Sequence, residues 1–411
     1  MVGCLLKAGF DVVDELDDAD VLVYNTCAVK TPTENRVIEI LKNASILDKH
    51  LVVTGCLPLI NFERLKREVR FDGVLGPSPG AKIVDAAQKV MIGEKFTWLN
   101  GCAETKPCLE MPRRAANPVV SIIPVAYGCL GSCSYCCVTF ARGCLRSCRI
   151  GEIVKRIRQD LDSGAREVWL TGQDMACYGR DIGLSLVDLV QEVCKIEDEF
   201  FVRIGMMTPN NVLGMLPKLV EAFRNDHIFK FLHLPVQSGD DEVLERMNRF
   251  YSVKDFKRIV EAFRDAMPDI TVETDVICGF PGESSEAFDR TMRLIEDVKS
   301  DVVNISKFFP RPGTSAMNMT PHVSGSEVKE RSKRMTDLVR RISSDRNKAW
   351  MNWVGKVLVD ERGKTFGSWV GRNFAYKPVV VKNNTNSLLG KFLKVRVTKT
   401  FQTHLEAEIL G

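Results

Sequence analysis

Hydrophobic and polar positions divide the chain into three zones with different periods. In residues 1–95, the apolar runs DVLVYNTCAV and LVVTGCLP flank TENRVIEILKNA, which has helical spacing. This alternation of strands and helices predicts a small α/β domain with a parallel sheet. Both apolar runs end in a turn that contains a cysteine, and strand ends are where open α/β sheets place their ligand groups.

The second zone, residues 119–325, repeats the strand–helix alternation at least six times. Its strand candidates are VVSIIPVAYG, EVWLTGQ, FVRIGMM, FKFLHLPVQ, ITVETDVICGF and VVNISKFF, with amphipathic helices such as SVKDFKRIVEAFRDAM between them. The repetition predicts a TIM-like β/α barrel, partial or full, with its chemistry at the carboxyl ends of the strands.

The third zone begins with a basic amphipathic helix, SEVKERSKRMTDLVRRISSDRNKAW. Three short strands follow, KVLVDER, FAYKPVVVK and KFLKVRVTKTF, with turn signals at NNTN and LLGK. They predict a small, OB-like β-barrel of a kind that often binds nucleic acid. The resulting domains are an α/β domain at 1–97, a linker at 98–118, the β/α barrel at 119–347 and the small β-barrel at 348–411.

The composition narrows the class of protein without defining a function. The 411 residues are 45% hydrophobic and 27% charged, which fits a globular protein of two or three domains. We find no membrane-length apolar run and no signal peptide, so we expect a cytoplasmic protein without membrane contact. Thiols stay reduced in that compartment. The 14 cysteines are therefore better explained as metal ligands, redox groups or buried residues than as disulfides.

Positive charge is concentrated at the C-terminal end. Residues 327–411 contain 18 Lys and Arg against 8 Asp and Glu, a net charge of +10, whereas the whole chain carries +4. The asymmetry fits a polyanionic partner and, equally, a solvated surface. Strand alternation places Lys394 and Arg396 toward one side, as a phosphate track requires, and Lys399 is a further candidate at the end of the same run. Two aromatic residues of this module either stack on bases or fill the barrel: Phe374 and Tyr376.

Three cysteines form the most specific pattern in the chain. Cys129, Cys133 and Cys136 have the spacing C-x3-C-x2-C and directly follow a predicted strand. Zinc sites usually use two ligand pairs, and the nearest histidine downstream is the distant His227. Three thiolates on one loop can instead hold three irons of a 4Fe–4S cluster and leave the fourth iron open. Cys137 is adjacent to the third cysteine, so its side chain diverges, and we expect a buried bystander.

The cysteine pattern, with Tyr135 before its third cysteine, resembles the signature of the radical S-adenosylmethionine (SAM) enzymes. Further strings at strand ends are TGQD, HLPVQSG, DVICGFPGE and FFPRPGT. Together with NTC, TGC and the C-terminal β-module, they resemble the methylthiotransferases over essentially the whole chain. EVWLTGQDMACYGRDIG and VRIGMMTP are most similar to the archaeal and eukaryotic branch, which modifies threonylcarbamoyladenosine beside the tRNA anticodon.

The resemblance implies an activity and its cofactors. Cys129, Cys133 and Cys136 would hold a 4Fe–4S cluster that chelates SAM and cleaves it, giving a radical that abstracts hydrogen from the adenine. Cys27 and Cys56 would bind a second 4Fe–4S cluster, which delivers sulfur to C2 of the base before a further SAM methylates it. The C-terminal module would be a TRAM domain that binds tRNA. A flavodoxin or ferredoxin would supply electrons, and we expect a monomer.

Contacts to SAM are also implied at several strand ends. Tyr135 would flank the adenine of SAM. The methionine amino group would meet the TGQD turn at Gly172, Gln173 and Asp174. Two further polar residues would bond or orient SAM: Gln237 and Asp275. An apolar wall and a close backbone approach for the adenine would come from Ile277 and Gly279. The alternative for each side chain is a purely structural hydrogen bond, and His233 fits a core histidine as well as a catalytic one.

The beginning of the chain departs from the family pattern. The first ligand of the second cluster normally lies in a YGC turn before a segment like MVGCLLKAGF, and this chain begins within that segment. We therefore expect a truncated N-terminal domain and a labile or absent second cluster, unless Cys4, Cys102 or Cys108 substitutes. Cys4 is better explained as a small residue on an amphipathic helix.

Other polar and thiol side chains carry weaker signals. Three arginines after the cysteine pattern either meet tRNA phosphates or are simply solvated: Arg142, Arg146 and Arg149. Two cysteines at i,i+4 spacing lack a third partner and are expected to be incidental: Cys144 and Cys148. Isolated cysteines in apolar contexts are predicted to be core residues: Cys177, Cys194 and Cys278.

Competing functions remain open from the sequence. The nearest is a sister methylthiotransferase that acts on isopentenyladenosine in tRNA or on an aspartate of a ribosomal protein. A second is a radical SAM enzyme with an N-terminal cobalamin domain, against which the cysteine-tipped loops argue. The non-enzyme alternative is a zinc-stabilised RNA-binding protein, which predicts a colourless protein that contains zinc.

Overall fold

A computed structural model describes residues 1–99, 108–383 and 387–410. The chain forms two compact units, and neither is continuous in sequence. The first unit contains Met1–Ala116, the segment Tyr127–Ser147 (the cysteine loop) and the segment Phe309–Asn318 (the proline loop). The second unit contains Asn117–Ala126, Cys148–Phe308 and Met319–Gly411. The domain bounds assigned above from the sequence pattern remain a prediction.

The helices and strands are numbered along the chain. The helices are α1 Val2–Lys7, α2 Thr31–Ala44, α3 Leu57–Ile60, α4 Phe62–Glu68, α5 Lys82–Met91, α6 Val138–Arg142, α7 Ile150–Asp162, α8 Leu186–Val193, α9 Pro209–Leu213, α10 Leu216–Phe223, α11 Asp241–Arg246, α12 Val253–Ala266, α13 Ser285–Val298 and α14 Gly325–Lys348. The strands are β1 Val21–Thr26, β2 His50–Gly55, β3 Gly73–Leu75, β4 Phe96–Trp98, β5 Val120–Pro124, β6 Ala126–Tyr127, β7 Arg146–Ser147, β8 Glu167–Thr171, β9 Phe201–Ile204, β10 Phe231–His233, β11 Thr271–Cys278, β12 Val302–Lys307, β13 Val354–Arg362, β14 Ser368–Asn373, β15 Pro378–Lys382, β16 Phe392–Thr400 and β17 Leu405–Ile409. In the part of the chain that the structure describes, none of these helices is both long and apolar enough to cross a bilayer.

The first unit is built on a four-stranded parallel sheet in the order β1-β2-β3-β4. β1 runs beside β2 from the pair Val21 and His50 to the pair Thr26 and Gly55. β2 is almost entirely buried, as expected for an inner strand of a parallel sheet. The core on one side of the unit contains Val37, Ile38, Leu41, Leu51 and Val53. The predicted α/β domain with a parallel sheet is therefore confirmed.

The two later segments complete the first unit. α6, in the cysteine loop, buries Ala141 in the same core as Ala28, which follows β1. The proline loop is fastened to the cysteine loop, because the N–H of Ala316 donates to the carbonyl of Ser134 at 2.9 Å. The pattern of apolar positions does not encode such long-range packing, so the sequence did not predict that these segments pack with the N-terminal sheet.

The second unit contains the six predicted parallel strands in two sheets, β5-β8-β9 and β10-β11-β12. Hydrogen bonds from the N–H of Phe229 to the carbonyl of Val202 (3.0 Å) and from Met207 to His233 (2.9 Å) connect β9 with β10. On β11, fully buried residues alternate with half-buried Glu273, Asp275 and Ile277. These half-buried positions define one partly open face of the barrel, which we call the inner face. The prediction of a TIM-like β/α barrel is confirmed.

Helix α12 shows how the local sequence starts the barrel helices. The Ser252 hydroxyl accepts the N–H of Asp255 (3.2 Å), and the Asp255 carboxylate accepts the N–H of Ser252 (2.9 Å). This capping box satisfies two backbone donors that the first turn of a helix leaves unpaired. Phe256, Ile259 and Phe263 follow at helical spacing and are fully buried. A short polar signal and a three-to-four-residue apolar repeat therefore suffice to place this helix.

The C-terminal module is a closed barrel of five strands in the order β13-β14-β15-β17-β16. The sequence prediction of only three strands was wrong in number: β14 and β17 were missed, and β15 begins only at Pro378. β14 reads SWVGRN and β17 reads LEAEI, and neither is apolar enough to stand out as a strand. Their backbone groups gain partners only when the barrel closes. The predicted small β-barrel is nevertheless confirmed.

Glu167, at the start of β8, makes the stability of the second unit depend on pH. It is fully buried, and burial, with Asp360 nearby, raises its pKa to about 7 from an unfolded value of 4.5. Between these values the folded protein holds a proton that the unfolded chain has lost, so the free energy of unfolding falls as pH rises from 4.5 through 7. We expect Glu167→Gln to raise that free energy at pH 8 by roughly 3 kcal/mol and to leave it unchanged at pH 4. Urea denaturation at the two pH values measures both, and equal effects at both would contradict the assignment.

Candidate active site

The cysteine loop places two of its thiols beside a residue that has no side chain. Gly131 donates its N–H to Cys129 Sγ at 3.2 Å. A Cβ atom added at Gly131 would lie 3.2 Å from Cys129 Sγ and 3.8 Å from Cys133 Sγ. The N–H of Cys136 donates to the carbonyl of Cys133 at 3.0 Å, and its thiol interacts electrostatically with the other two. The three predicted cluster ligands thus lie on one loop, with the first two thiols beside Gly131.

Burial strongly affects the third of these thiols. Burial above all, with smaller contributions from neighbouring thiols, raises the pKa of Cys136 to about 12, although the nearby backbone N–H of Val138 lowers it. The thiol therefore keeps its proton near neutral pH until a metal displaces it. Three cysteines on one loop, with room at Gly131, fit a 4Fe–4S cluster that keeps one iron open. Within the described ranges, no three or more His, Cys, Asp or Glu side chains are assembled around a single metal position.

The fourth cysteine of the loop lies apart from these three. Cys137 is 2% exposed and belongs to the core of the first unit. Its thiol lies 3.9 Å from the carbonyl of Ala28, and burial raises its pKa. Its predicted burial is confirmed. Of the isolated cysteines, Cys177 and Cys278 are buried as predicted, whereas Cys194 is only half-buried.

Cys27 and Cys56 lie at the carboxyl ends of neighbouring strands of the first sheet. The N–H of Cys56 donates to the carbonyl of Thr26 at 3.1 Å, and the two thiols are close enough to interact electrostatically. Burial raises the pKa of Cys56, whereas the nearby positive charge of Arg142 lowers it. Of the substitutes considered, Cys4 is buried on α1 as expected, Cys108 is exposed, and Cys102 lies outside the described residues.

Arg142, the first arginine after the cysteine pattern, makes polar contacts within the first unit. Besides its electrostatic interaction with Cys56, Arg142 donates to Ser78 Oγ at 3.0 Å, and its own carbonyl accepts from Arg146 at 2.8 Å. The backbone N–H of Arg149 bonds the Glu152 carboxylate at the start of α7. Binding of tRNA phosphates by these arginines stays a prediction.

A buried ion pair that the sequence analysis missed ties the proline loop to α2. Arg311 is 3% exposed and Glu34 is 1% exposed, and their charged groups are hydrogen bonded. Arg64 donates to the same carboxylate at 2.8 Å. Although burial by itself raises the pKa of Glu34, the bonds from Arg311 and Arg64 hold it below its usual value. The only signal was the string FFPRPGT, which contains the arginine but says nothing of its partner.

In the second unit, two polar side chains of the TGQD turn at the end of β8 differ in their hydrogen bonding. The buried Asp174 carboxylate accepts bonds from the N–H groups of Ala176 (3.1 Å) and Thr208 (3.0 Å) and from Asn211 Nδ2 (2.8 Å). It therefore holds together the turns that follow β8 and β9. Gln173 Oε1, in contrast, is buried and accepts no hydrogen bond from the described residues. A buried acceptor of this kind is suited to accept a hydrogen bond from a bound ligand.

The remaining predicted SAM contacts lie around β11. Gln237 has a positive φ of 68° and is clamped to β11, since its N–H donates to the carbonyl of Asp275 (2.8 Å) and its own carbonyl accepts from Ile277 (3.0 Å). At Gly279, which has φ +79°, a Cβ atom would lie 2.3 Å from the Val328 side chain on α14. Glycine is therefore required there by the approach of α14.

Side chains from three adjacent strands meet on the inner face. Asp275 Oδ1 contacts His233 Nε2 at 3.3 Å and accepts from Asn304 Nδ2 at 2.8 Å. His233 is thus a hydrogen-bonded, half-buried residue of β10, and Asn304 is a neighbour that sequence patterns did not single out. Tyr135, in the first unit, is half-buried.

Comparison with known proteins adds a family to this geometry. A protein of Pyrococcus horikoshii named "Probable threonylcarbamoyladenosine tRNA methylthiotransferase" is 37% identical over 411 residues, covering 100% of this chain and 95% of that one. The Homo sapiens protein named "Threonylcarbamoyladenosine tRNA methylthiotransferase" is 33% identical and covers 97% of this chain and 69% of that one. This chain belongs to the threonylcarbamoyladenosine tRNA methylthiotransferase family. The resemblance noted in the sequence is confirmed.

Models of three domain families match along the chain. The radical SAM superfamily matches residues 123–295, the TRAM domain matches 354–410, and the model described as "Uncharacterized protein family UPF0004" matches 1–76. The radical SAM match implies that this methylthiotransferase family member uses a 4Fe–4S cluster and SAM. The three-part organisation thus agrees with the family.

Solved structures agree at the level of the fold. The radical SAM methyltransferase TsrM of Kitasatospora setae aligns with a TM-score of 0.56 at 13% identity, over 72% of this chain and 64% of that one. The cobalamin-dependent radical enzyme OxsB aligns with a TM-score of 0.50 at 11% identity, over 83% and 49%. In both cases this chain spans less than two thirds of the other protein. At such low identity the likeness concerns the fold alone.

Proposed function

We propose that this protein is a radical SAM enzyme that adds sulfur and a methyl group at C2 of threonylcarbamoyladenosine beside the tRNA anticodon. The observation that carries the proposal is the 37% identity to a relative of that name over the full chain and 95% of the relative. The geometry of the cysteine loop supports it, because it supplies the three thiols that radical SAM chemistry requires.

The residues that would hold the clusters lie in the first unit. The ligands of the SAM-binding cluster would be Cys129, Cys133 and Cys136. A second 4Fe–4S cluster would bind Cys27 and Cys56, which share one edge of the parallel sheet. The positive charge of Arg142 would stabilise the thiolate form of Cys56 there. The cluster, when bound with SAM, supplies one-electron chemistry that removes hydrogen from an unactivated C–H bond.

The chain's own groups would bind and orient SAM. The buried acceptor Gln173 Oε1 would take a hydrogen bond from the SAM ammonium, while Asp174 would keep the TGQD turn in place through its backbone partners. The other proposed contacts are Tyr135, Gly172, Gln237, Asp275, Ile277 and Gly279. Barrel side chains would position the cofactor, and the half-buried inner face would limit the access of water.

The TRAM barrel is the proposed tRNA-binding module. Lys394 and Arg396 on β16 are exposed and alternate with buried valines, as a phosphate track requires. Two carboxylates of β17 partly neutralise the track: Glu408 lies 3.4 Å from Arg396, and Glu406 lies 3.8 Å from Lys399. Phosphates would compete with these carboxylates. A flavodoxin or ferredoxin as electron donor, a cytoplasmic location and a monomeric state complete the proposal.

Mass spectrometry of modified RNA tests the function. The reconstituted protein is incubated with SAM, reductant and anticodon stem-loops that contain either threonylcarbamoyladenosine or isopentenyladenosine. We expect a methylthio product only from the first, and 5′-deoxyadenosine alongside it. A product only from isopentenyladenosine would assign the sister activity, and a colourless zinc protein without 5′-deoxyadenosine would reject the enzyme proposal altogether.

A further inference from the structure

A short hairpin turn of the TRAM barrel packs against the β/α barrel. This turn contains a tyrosine with a strained backbone conformation. Between β14 and β15, Asn373 Oδ1 accepts the N–H groups of Ala375 (3.1 Å) and Lys377 (2.9 Å), which tightens the turn. Tyr376 within it has φ +61°, a conformation that bulky residues rarely adopt. Strained backbone of this kind persists only where the surroundings fix it, and it is concentrated at functional sites.

The turn is fixed to the β/α barrel by polar and aromatic contacts. The N–H of Lys230 donates to the carbonyl of Phe374 at 2.7 Å. Lys377 Nζ forms a buried ion pair with Asp301 at 2.8 Å. The turn is therefore held firmly against the β/α barrel, although its sequence belongs to the RNA-binding module. The rings that touch Tyr376 are Phe229 and Phe231, with centroids 4.8 and 5.0 Å away.

Tyr376 completes an aromatic cage around an arginine of the barrel. The guanidinium of Arg203, on β9, lies 5.3 Å from the ring centroid of Tyr376, 5.2 Å from that of Trp169 and 4.8 Å from that of Phe231. Arg203 Nε is buried and makes no hydrogen bond within the described part of the chain. The three rings therefore compensate for part of its lost hydration, and a desolvated cation–π contact is a substantial interaction.

Arg203 in turn begins a chain of polar contacts that crosses the inner face. Its guanidinium lies 3.9 Å from Glu273 Oε2. Glu273 accepts a bond from Asn304 Nδ2 at 2.7 Å, and the same amide donates to Asp275 at 2.8 Å. His233 lies between the two carboxylates, 3.9 Å from Glu273 and 3.3 Å from Asp275. These contacts form a continuous series from the hairpin turn of the TRAM barrel to Asp275.

We propose that Tyr376, supplied by the TRAM barrel, is a positioning residue for the inner face: it orients Arg203 and, through Glu273 and Asn304, the carboxylate of Asp275. The inference rests on the proposed function, in which Asp275 contacts SAM. It assigns the RNA-binding module a second task that does not involve RNA. The TRAM barrel completes the SAM-binding barrel, so SAM cleavage depends on it even without tRNA.

The test uses the full chain in matched variants. Tyr376→Leu keeps an apolar side chain but removes the ring, and Tyr376→Phe restores the ring. Phe366→Leu is the control, because Phe366 lies on the same β-barrel and is 95% exposed. Five quantities are measured: kcat and KM for SAM in 5′-deoxyadenosine release without tRNA, the Kd for tRNA, the Tm, and hydrogen exchange of the β11 amides in the metal-free protein.

We expect Tyr376→Leu to raise KM for SAM about tenfold while kcat and the Kd for tRNA each stay within about twofold of native. In the metal-free protein, exchange at the Ile277 amide, which is bonded to Gln237, should accelerate about tenfold. Tyr376→Phe should return both quantities to near native values, and Phe366→Leu should leave them unchanged.

One outcome would overturn the inference, and it is distinguishable from failure of the proposed function. A lower Tm in Tyr376→Leu with unchanged KM and unchanged exchange would mean that the turn merely joins two modules. If Tyr376→Leu does not fold, Arg203→Lys is measured by the same criteria, because lysine keeps the charge but cannot stack. Absence of 5′-deoxyadenosine from the native protein would reject the proposed function instead, and hydrogen exchange at Ile277 would still decide the role of Tyr376.

Discussion

Replacement of Cys133 by serine should abolish SAM cleavage and remove one cluster, about four iron atoms per chain. A hydroxyl does not replace a thiolate as a ligand of iron, and the neighbouring thiols at Cys129 and Cys136 cannot hold a cubane cluster alone. Since even outer partners of metal ligands cost 10–100-fold when mutated, we expect 5′-deoxyadenosine formation to fall by more than about a hundredfold. Iron analysis and chromatographic assay of 5′-deoxyadenosine measure the two effects.

Cys137→Ala is the matched control for this experiment. Cys137 lies four residues from Cys133 in the same loop, but its thiol is buried in the core of the first unit. The variant should lose about 1 kcal/mol of unfolding free energy from the small cavity and keep its iron and its activity. Equal iron in Cys133→Ser and the native protein would contradict the ligand assignment, and loss of iron in Cys137→Ala would extend it to the fourth cysteine.

Arg311→Met should lower the free energy of unfolding of the first unit by about 3 kcal/mol. The substitution leaves the Glu34 carboxylate, which is 1% exposed, without its closest cation. Arg64 still donates to it at 2.8 Å, so we expect the low end of the range for a broken buried pair. Thermal or chemical denaturation, followed by circular dichroism, measures the loss.

A double-mutant cycle and a surface pair provide the controls. Glu34→Gln combined with Arg311→Met removes both charges, and we expect it to recover part of the loss, because no buried charge then lacks a partner. Arg67→Met breaks an exposed contact to Glu68, so it should change stability by less than about 1 kcal/mol. Additive effects in the cycle would show that Arg311 stabilises the unit independently of Glu34.

The period of apolar positions predicted most of the secondary structure. α12 and β11 could be located because each buries one regular face, and such a face imposes a repeat that the sequence displays directly. β14 and β17 were missed for the converse reason: they are short and polar, and they become strands only when the closed barrel pairs their backbone groups. Phe374 and Tyr376 were left between two roles. The structure packs the first against Trp350 at 5.7 Å and the second against Arg203.

The candidate site shows the same division. The spacing of Cys129, Cys133 and Cys136 was informative because ligands on one short loop must meet wherever the loop lies. The task of Asp174 was not predictable, because its carboxylate is satisfied by Thr208 and Asn211, which follow a different strand.

For this protein, sequence alone was enough for the fold class and the family, because repeats and closely spaced motifs are local properties that survive any arrangement of the chain. Tertiary packing determined the Arg311–Glu34 ion pair and the chain of contacts from Tyr376 to Asp275. Those contacts join residues far apart in sequence, and their partners are selected by burial: a charge that is removed from water must find a counter-charge or a ring nearby, whichever segment supplies it. The spacing of apolar positions along the chain does not identify those partners.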